Sequence, residues 1–185
     1  YGLGLWLPTL IKQFGGSDLV TGFVSSVPYI FGIIGLLIIP RSSDRLNDRY
    51  GHLAVLYVLG AIGLFLSAWL SLPVAQLAAL CLVAFALFSC TAVFWTLPGR
   101  FFAGASAAAG IALINSVGNL GGYIGPFVIG ALKEHTGNLA SGLYFLSGVM
   151  VFGLILTGVV YRVLERKHVL PADQFAASAR GATRT

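Results

Sequence analysis

Charged residues punctuate this chain at intervals that leave long uncharged stretches between them. No Asp, Glu, Lys or Arg falls between Asp18 and Arg41, and a second uncharged stretch runs from Leu53 up to Arg100. Crossing the hydrocarbon core of a bilayer takes about 20 consecutive apolar helical residues, so the first stretch predicts a span over 20–39. The second is too long for one span. Ser71-Leu72-Pro73 divides it into 53–70 and 76–97, because proline ends or turns a helix. A glycine-rich segment then predicts a helix over 105–132, and a final apolar run predicts another over 139–161. Ahead of them all, 1–14 reads as the outer end of a helix whose start is missing. The expectation is an all-α, polytopic membrane bundle over 1–167, followed by a tail over 168–185. The tail has small polar residues and no periodicity, which points to a disordered cytoplasmic segment.

Composition agrees with lipid as the solvent. Apolar residues make up 57% of the chain and charged residues 9%, with a mean hydropathy of +0.90. A soluble domain carries about a quarter charged residues, so a water-exposed surface is excluded. The net charge of +5 does not point to nucleic acid, because the basic residues are sorted by side. Arg41, Arg45, Arg49, Arg100, Arg162, Arg166, Lys167, Arg180 and Arg184 lie on one side, and Lys12 and Lys133 on the other. Cytoplasmic loops carry the excess of Lys and Arg, which places the first group and the carboxy terminus in the cytoplasm, as expected for a bacterial inner membrane. Cys81 and Cys90 fall in one apolar run, about 13 Å apart along a helix and too far for a disulfide. The chain opens Tyr1-Gly2-Leu3-Gly4, without methionine or a basic leader, and reads as a fragment.

The predicted spans contain no ionisable group at mid-depth. Asp18, Asp44, Asp48, Glu134, Glu165 and Asp173 all lie in loops or the tail, and His52, His135 and His168 at loops or ends. Proton relays and membrane-embedded hydrolases both need such groups inside the bilayer. No catalytic residue, metal ligand or cofactor is therefore assigned, and a coupling carboxylate is expected to come from elsewhere.

Neutral polar groups supply the candidate chemistry. In 105–132, Asn115, Gly118, Asn119, Gly122 and Pro126 recur at helical spacing and share one face. Carboxamides on such a stripe hydrogen-bond either a polar substrate or a neighbouring helix, and small residues favour close helix packing. Packing is the expectation for the glycines, binding for Asn115 and a structural bond for Asn119. In 76–97, Ser89, Thr91, Trp95 and Thr96 crowd the cytoplasmic half. Trp95 is either a stacking surface for substrate or an interfacial anchor. In 20–39, Ser25, Ser26 and Tyr29 surround Pro28, with Ser25 and Tyr29 one turn apart. They serve either a cavity or the kink that a mid-helix proline brings. The segment 41–52 is read as a charged cytoplasmic loop. In it, Asp44 either pairs with an arginine or caps the next helix, and such ion pairs would favour one of two conformations of the bundle.

This segment resembles the second copy of the Gly-x-x-x-Asp-Arg-x-Gly-x-Arg signature of the major facilitator superfamily. Asp44, Arg45 and Arg49 stand at its charged positions, with Pro40 and Asn47 in place of the glycines. Asparagine tolerates the left-handed backbone that the second glycine supplies. Longer stretches are similar to the anion:cation symporter family, in its tartrate- and aromatic-acid-transporter-like branch. They are Leu5-Trp6-Leu7-Pro8-Thr9-Leu10-Ile11-Lys12, Val27-Pro28-Tyr29, Phe94-Trp95-Thr96-Leu97-Pro98, the run from Ala108 to Gly122, and Gly125-Pro126.

The resemblance implies twelve spans in two six-helix halves, this chain being the end of span 7 through span 12. It implies proton- or cation-coupled symport of a small organic anion through a site between the halves, with anion-binding and coupling charges from the missing amino-terminal half. It maps substrate-facing roles onto Trp95 and Asn115, and places Arg100 where relatives often carry a small or polar residue. Ser25, Tyr29 and Asn119 are the further candidates for the same cavity. A non-transporting scaffold or receptor, or an inactive truncated fragment, is the rival reading.

Overall fold

The computed structural model describes residues 1–15, 17–101 and 105–166; the tail expected over 168–185 lies outside the described residues. Among those described, every regular element is helical. In chain order they are α1 (Gly2–Lys12), α2 (Asp18–Leu46), α3 (Arg49–Trp69), α4 (Pro73–Phe94), α5 (Pro98–Phe101), α6 (Ala105–Thr136) and α7 (Ala140–Arg166). Five of these, α2, α3, α4, α6 and α7, are long and apolar enough to cross a membrane. The break at Ser71-Leu72-Pro73 falls where proline fits best, with Pro73 opening α4 in the first helical turn.

One local expectation is corrected. The segment 41–52 is not a loop: α2 continues through Pro40 to Leu46, and α3 begins at Arg49, leaving Asn47 and Asp48 as the connection. Pro40 removes the backbone donor that would reach the Leu36 carbonyl, and close by the Arg41 guanidinium donates to the Leu37 carbonyl. Asn47 then takes the left-handed conformation (φ 48°, ψ 29°) that stops α2. The Asp48 carboxylate caps α3 by accepting from the Gly51 backbone N–H at 2.8 Å. Asp48→Ala is expected to lower stability by about 1 kcal/mol, with Asp48→Asn close to wild type. Thermal unfolding of the solubilised protein checks both.

Packing places α4 between α2 and α3. Helix α3 also packs on α7, which packs on α6, while α1 bridges α2 and α6. The α2–α4 and α3–α4 crossings are close because glycines face α4. A Cβ on Gly35 would lie 2.8 Å from the Phe85 carbonyl oxygen, and one on Gly63 would lie 3.1 Å from that of Ala79. Lipid tails are as apolar as leucine, so such van der Waals contact, together with interhelical hydrogen bonds, holds membrane helices together. One of those bonds ties α7 to α3, with Ser147 Oγ donating to the Ala61 carbonyl at 2.9 Å. Buried apolar side chains form one cluster joining α1, α3, α4, α6 and α7, including Leu7, Leu64, Val83, Ile129 and Leu143. A second joins α3 and α4 at the other end, around Leu53, Leu56, Ala86 and Val93.

The two glycines of the α6 stripe differ. Gly122 lies against the ring of Tyr1, whereas a Cβ on Gly118 would meet nothing within 4 Å in this chain. The physical reason is position. Helix α6 lies at the margin of the bundle, touching α7, α1 and the short α5, and its apolar window is not buried within this chain.

Candidate functional site

A cavity of about 430 Å³ opens between α1, α2 and α4. Its walls are Tyr1, Gly4 and Leu7 from α1 and its start, Pro28, Tyr29 and Leu36 from α2, and Ala84, Leu87, Phe88 and Thr91 from α4. Pro28 and Gly4 keep the approach narrow where α1 passes α2: a Cβ on Gly4 would sit 3.7 Å from the Tyr29 hydroxyl. The Tyr29 ring stands edge-on to Phe88, with centroids 6.1 Å apart and planes at 87°, an arrangement favoured by the ring quadrupoles.

The cavity connects to the polar stripe of α6 through one bond. The Tyr1 hydroxyl donates to Asn119 Oδ1 at 3.2 Å, across Gly122. That bond brings α6 to the cavity rim. Asn115, one turn further along α6, is exposed on the same face.

The other candidates are dispersed. Trp95 caps the end of α4, 38% exposed, one turn beyond Thr91 and edge-on to Phe94 at 5.6 Å. It is not among the residues lining the cavity, and neither is Asn115. Ser25 is 8% exposed and donates to the Thr21 carbonyl of its own helix at 2.6 Å. A serine bonding four residues back helps a helix to bend, so Ser25 supports the Pro28 region while Tyr29 faces the cavity. Tyr1, Phe88 and Thr91 were not among the sequence candidates for the lining. Thr91 carried a visible signal, one turn before Trp95 in the polar half of α4. Phe88 carried none, being one more apolar residue in an apolar helix.

The cavity is lined by aromatic rings, aliphatic side chains and the hydroxyls of Tyr1, Tyr29 and Thr91, without a charged side chain. Thr91 Oγ1 donates to the Leu87 carbonyl at 2.9 Å and keeps its lone pairs for a donor. Such a surface can stack on a planar ligand and exchange hydrogen bonds with its neutral polar groups. It cannot by itself neutralise an anion.

A second polar constellation joins α2 to α3. The Arg49 guanidinium, only 11% exposed, pairs with Asp44 and donates from Nη1 to Ser43 Oγ at 3.2 Å. Ser43 Oγ donates in turn to the Asp48 carbonyl at 2.9 Å. His52 lies 3.2 Å from Ser42 Oγ through Nε2, and 3.7 Å from Asp48 Oδ2 through Nδ1. Of the two roles open to Asp44, the structure realises the ion pair and leaves capping to Asp48. Arg45 is exposed and lines a surface cavity beside Ser42.

Comparison with known proteins gives this architecture a family. The sequence model of the Major Facilitator Superfamily matches residues 1–182. The chain is 77% identical over 168 residues to a protein of Acinetobacter baumannii named quinolone resistance transporter, covering 90% of this chain and 39% of that one. It is 41% identical over 162 residues to a putative tartrate transporter of Agrobacterium vitis, covering 88% and 37%. It is 33% identical over 158 residues to the inner membrane transport protein RhmT of Escherichia coli, covering 84% and 37%. The chain thus spans about two fifths of the length of these curated relatives. An all-helical bundle with five membrane-crossing helices, matched to the family over almost all of its length, belongs to the Major Facilitator Superfamily.

Proposed function

We propose that residues 1–167 form the carboxy-terminal half-bundle, span 7 onwards, of a secondary active transporter for a small organic anion. The reading is of proton- or cation-coupled symport across a bacterial inner membrane, with the carboxy terminus and the tail 168–185 in the cytoplasm. The observation that carries it is the uncharged, aromatic-walled cavity of about 430 Å³ beside the open asparagine face of α6. In this reading that is one wall of a site, and the anion-binding and coupling charges come from an amino-terminal half outside this chain. An alternating-access site at mid-depth between two repeats has this division of labour.

In this reading Tyr29 stacks on the substrate and offers a hydroxyl. Asn115 donates to a carboxylate or hydroxyl, and Asn119 holds α6 to the cavity rim through Tyr1. Trp95 closes the cytoplasmic end of α4 as a stacking surface, and Ser25 shapes α2 beneath Tyr29. The Asp44–Arg49 pair, with Arg45 beside it, stabilises one of the alternating conformations. No covalent step is involved and no enzyme activity is proposed.

The relatives favour a second reading of the substrate. The 77% identity to a protein named for quinolone resistance, with the Tyr29–Phe88 wall, suits a planar aromatic carboxylate moved outward. The 41% identity to proteins named for tartrate suits a small hydroxy-acid moved inward.

The test is transport by cells expressing the full-length gene, with labelled tartrate, sugar acids, aromatic acids and a quinolone as the panel. Uncoupler-sensitive movement of one acid is expected. Asn115→Ala should weaken it about tenfold or more, the range for a hydrogen bond to a charged group, and Tyr29→Ala and Trp95→Ala should weaken it in the same direction. Transport indifferent to all three substitutions would remove this wall from the site. No transport by a well-inserted protein would favour a scaffold or receptor.

A further inference from the structure

The cytoplasmic end of α2 carries a surface of which the transport reading uses only Arg45. Leu37, Ile38, Arg41, Ser42, Arg45 and Leu46 line a shallow surface cavity of about 520 Å³. Arg41 and Arg45 are four residues apart and so lie one above the other on the same face of the helix. The carboxylates of this region are committed elsewhere: Asp44 pairs with Arg49, and Asp48 caps α3 and faces His52. Among the described residues neither Arg41 nor Arg45 is paired with a carboxylate. Arg41 spends one donor on the Leu37 carbonyl, and a guanidinium has five.

The length of α2 sets the depth of this cavity. Its 29 residues extend about 43 Å at 1.5 Å per residue, against a hydrocarbon core of about 30 Å and about 40–45 Å with headgroups. With the apolar stretch from Val20 to Ile39 filling the core, the last two turns of α2 stand in the headgroup layer. The two guanidinium groups are then level with lipid phosphates. Leu37 and Ile38, both exposed, stand one turn deeper, level with the first methylenes of the acyl chains.

From this juxtaposition we propose that Arg41 and Arg45 form a binding site for an anionic phospholipid of the cytoplasmic leaflet. The guanidinium groups hold the phosphate and the headgroup, and Leu37, Ile38 and Leu46 cover the start of an acyl chain. Planar guanidinium forks suit phosphate oxygens, and the apolar flank distinguishes a lipid from a free phosphate ion. The proposal rests on the membrane placement and orientation of α2, and stands whether or not the transport reading does.

Phosphatidylglycerol binding to the detergent-purified protein of full native length, read by native mass spectrometry, tests the site. The wild type should retain phosphatidylglycerol in preference to phosphatidylcholine. An Arg41→Gln/Arg45→Gln variant should lose affinity about 30-fold, from about fivefold per basic residue at the surface. Arg41→Lys/Arg45→Lys should keep most of the binding, and Arg162→Gln, an exposed arginine on α7, should change it little. Equal elution profiles and unfolding temperatures establish that the variants fold. Equal retention by the double Gln variant and the wild type would overturn the proposal. So would equal binding of phosphatidylcholine, displacement by inorganic phosphate at concentrations comparable with the lipid, or no retained phospholipid on the folded wild type.

Discussion

Gly35→Leu is expected to destabilise the protein by about 3 kcal/mol or more, at the upper end for overpacked helix contacts, and to leave little monodisperse material after solubilisation. Gly35 faces α4 where the two backbones come closest. A Cβ there would lie 2.8 Å from the Phe85 carbonyl and 2.9 Å from the Phe85 ring, and would also meet Ser89 Oγ. Two of those atoms cannot move cheaply. The carbonyl is helix backbone, and Ser89 is fully buried and bonded to that same carbonyl at 2.6 Å. Helix α4 is pressed from its other side by α3, so it cannot retreat without opening the Gly63 crossing. The control is Gly118→Leu, on the open face of α6. It should match wild type in yield and unfolding temperature. If it nevertheless abolishes transport by the full-length protein, that face looks into the cavity or onto the second half. A Gly35→Leu protein that elutes and melts like wild type would contradict the close α2–α4 crossing.

The second large effect concerns Arg49. Replacing it with alanine removes a guanidinium that is 11% exposed and takes its partners from Asp44 and Ser43. The Asp44 carboxylate is 61% exposed and resolvates, which limits the loss. The expected cost is about 2 kcal/mol, from one charge-assisted hydrogen bond and the lost packing of a long side chain. Arg49→Lys should recover only part of it, because one ammonium lacks the planar fork that spans Asp44 and Ser43 together. Arg45→Ala, four residues from Arg41 on the exposed side, should fall within about 0.5 kcal/mol of wild type in detergent. Unfolding temperatures that fail to separate Arg49→Ala from Arg45→Ala would mean the α2–α3 junction is held by its turn and cap alone.

Charge spacing alone made the helical bundle legible, because lipid tolerates so few charges that those present mark the span ends. Proline was an uneven guide. At Pro73 it opens α4, where a missing N–H costs nothing. At Pro40 it marks no boundary, because α2 continues through it to Leu46. The α6 glycines are a further case, Gly122 lying against Tyr1 and Gly118 having no neighbour within 4 Å in this chain. Small residues signal that something comes close, without saying whether it belongs to the same chain, and this chain spans two fifths of its relatives.

At the candidate site, Tyr29 lines the cavity and Asn119 stands at its rim, while Ser25, one turn from Tyr29, turns its hydroxyl back onto its own helix. Helical spacing gives a shared face, and the hydrogen bond a side chain chooses is beyond it. Phe88, set against Tyr29 across the α2–α4 groove, was invisible to any search for polar groups.

The buried apolar contacts of helix α6 lie at one end. Ile129 is buried against Leu139 and Leu143, Gly142 lies against it, and Lys133 stands 5.1 Å above the Trp6 ring. Nearer the other end, Tyr1 donates to Asn119, and α6 also meets the short α5. The contacts around Ile129 act as the clamp. Asn115 sits about 21 Å along the axis from Ile129, so a rotation of about 5° at the clamp sweeps its carboxamide through roughly 2 Å. Such a displacement is enough to make or break a hydrogen bond, and the buried clusters around α4 need not repack to allow it.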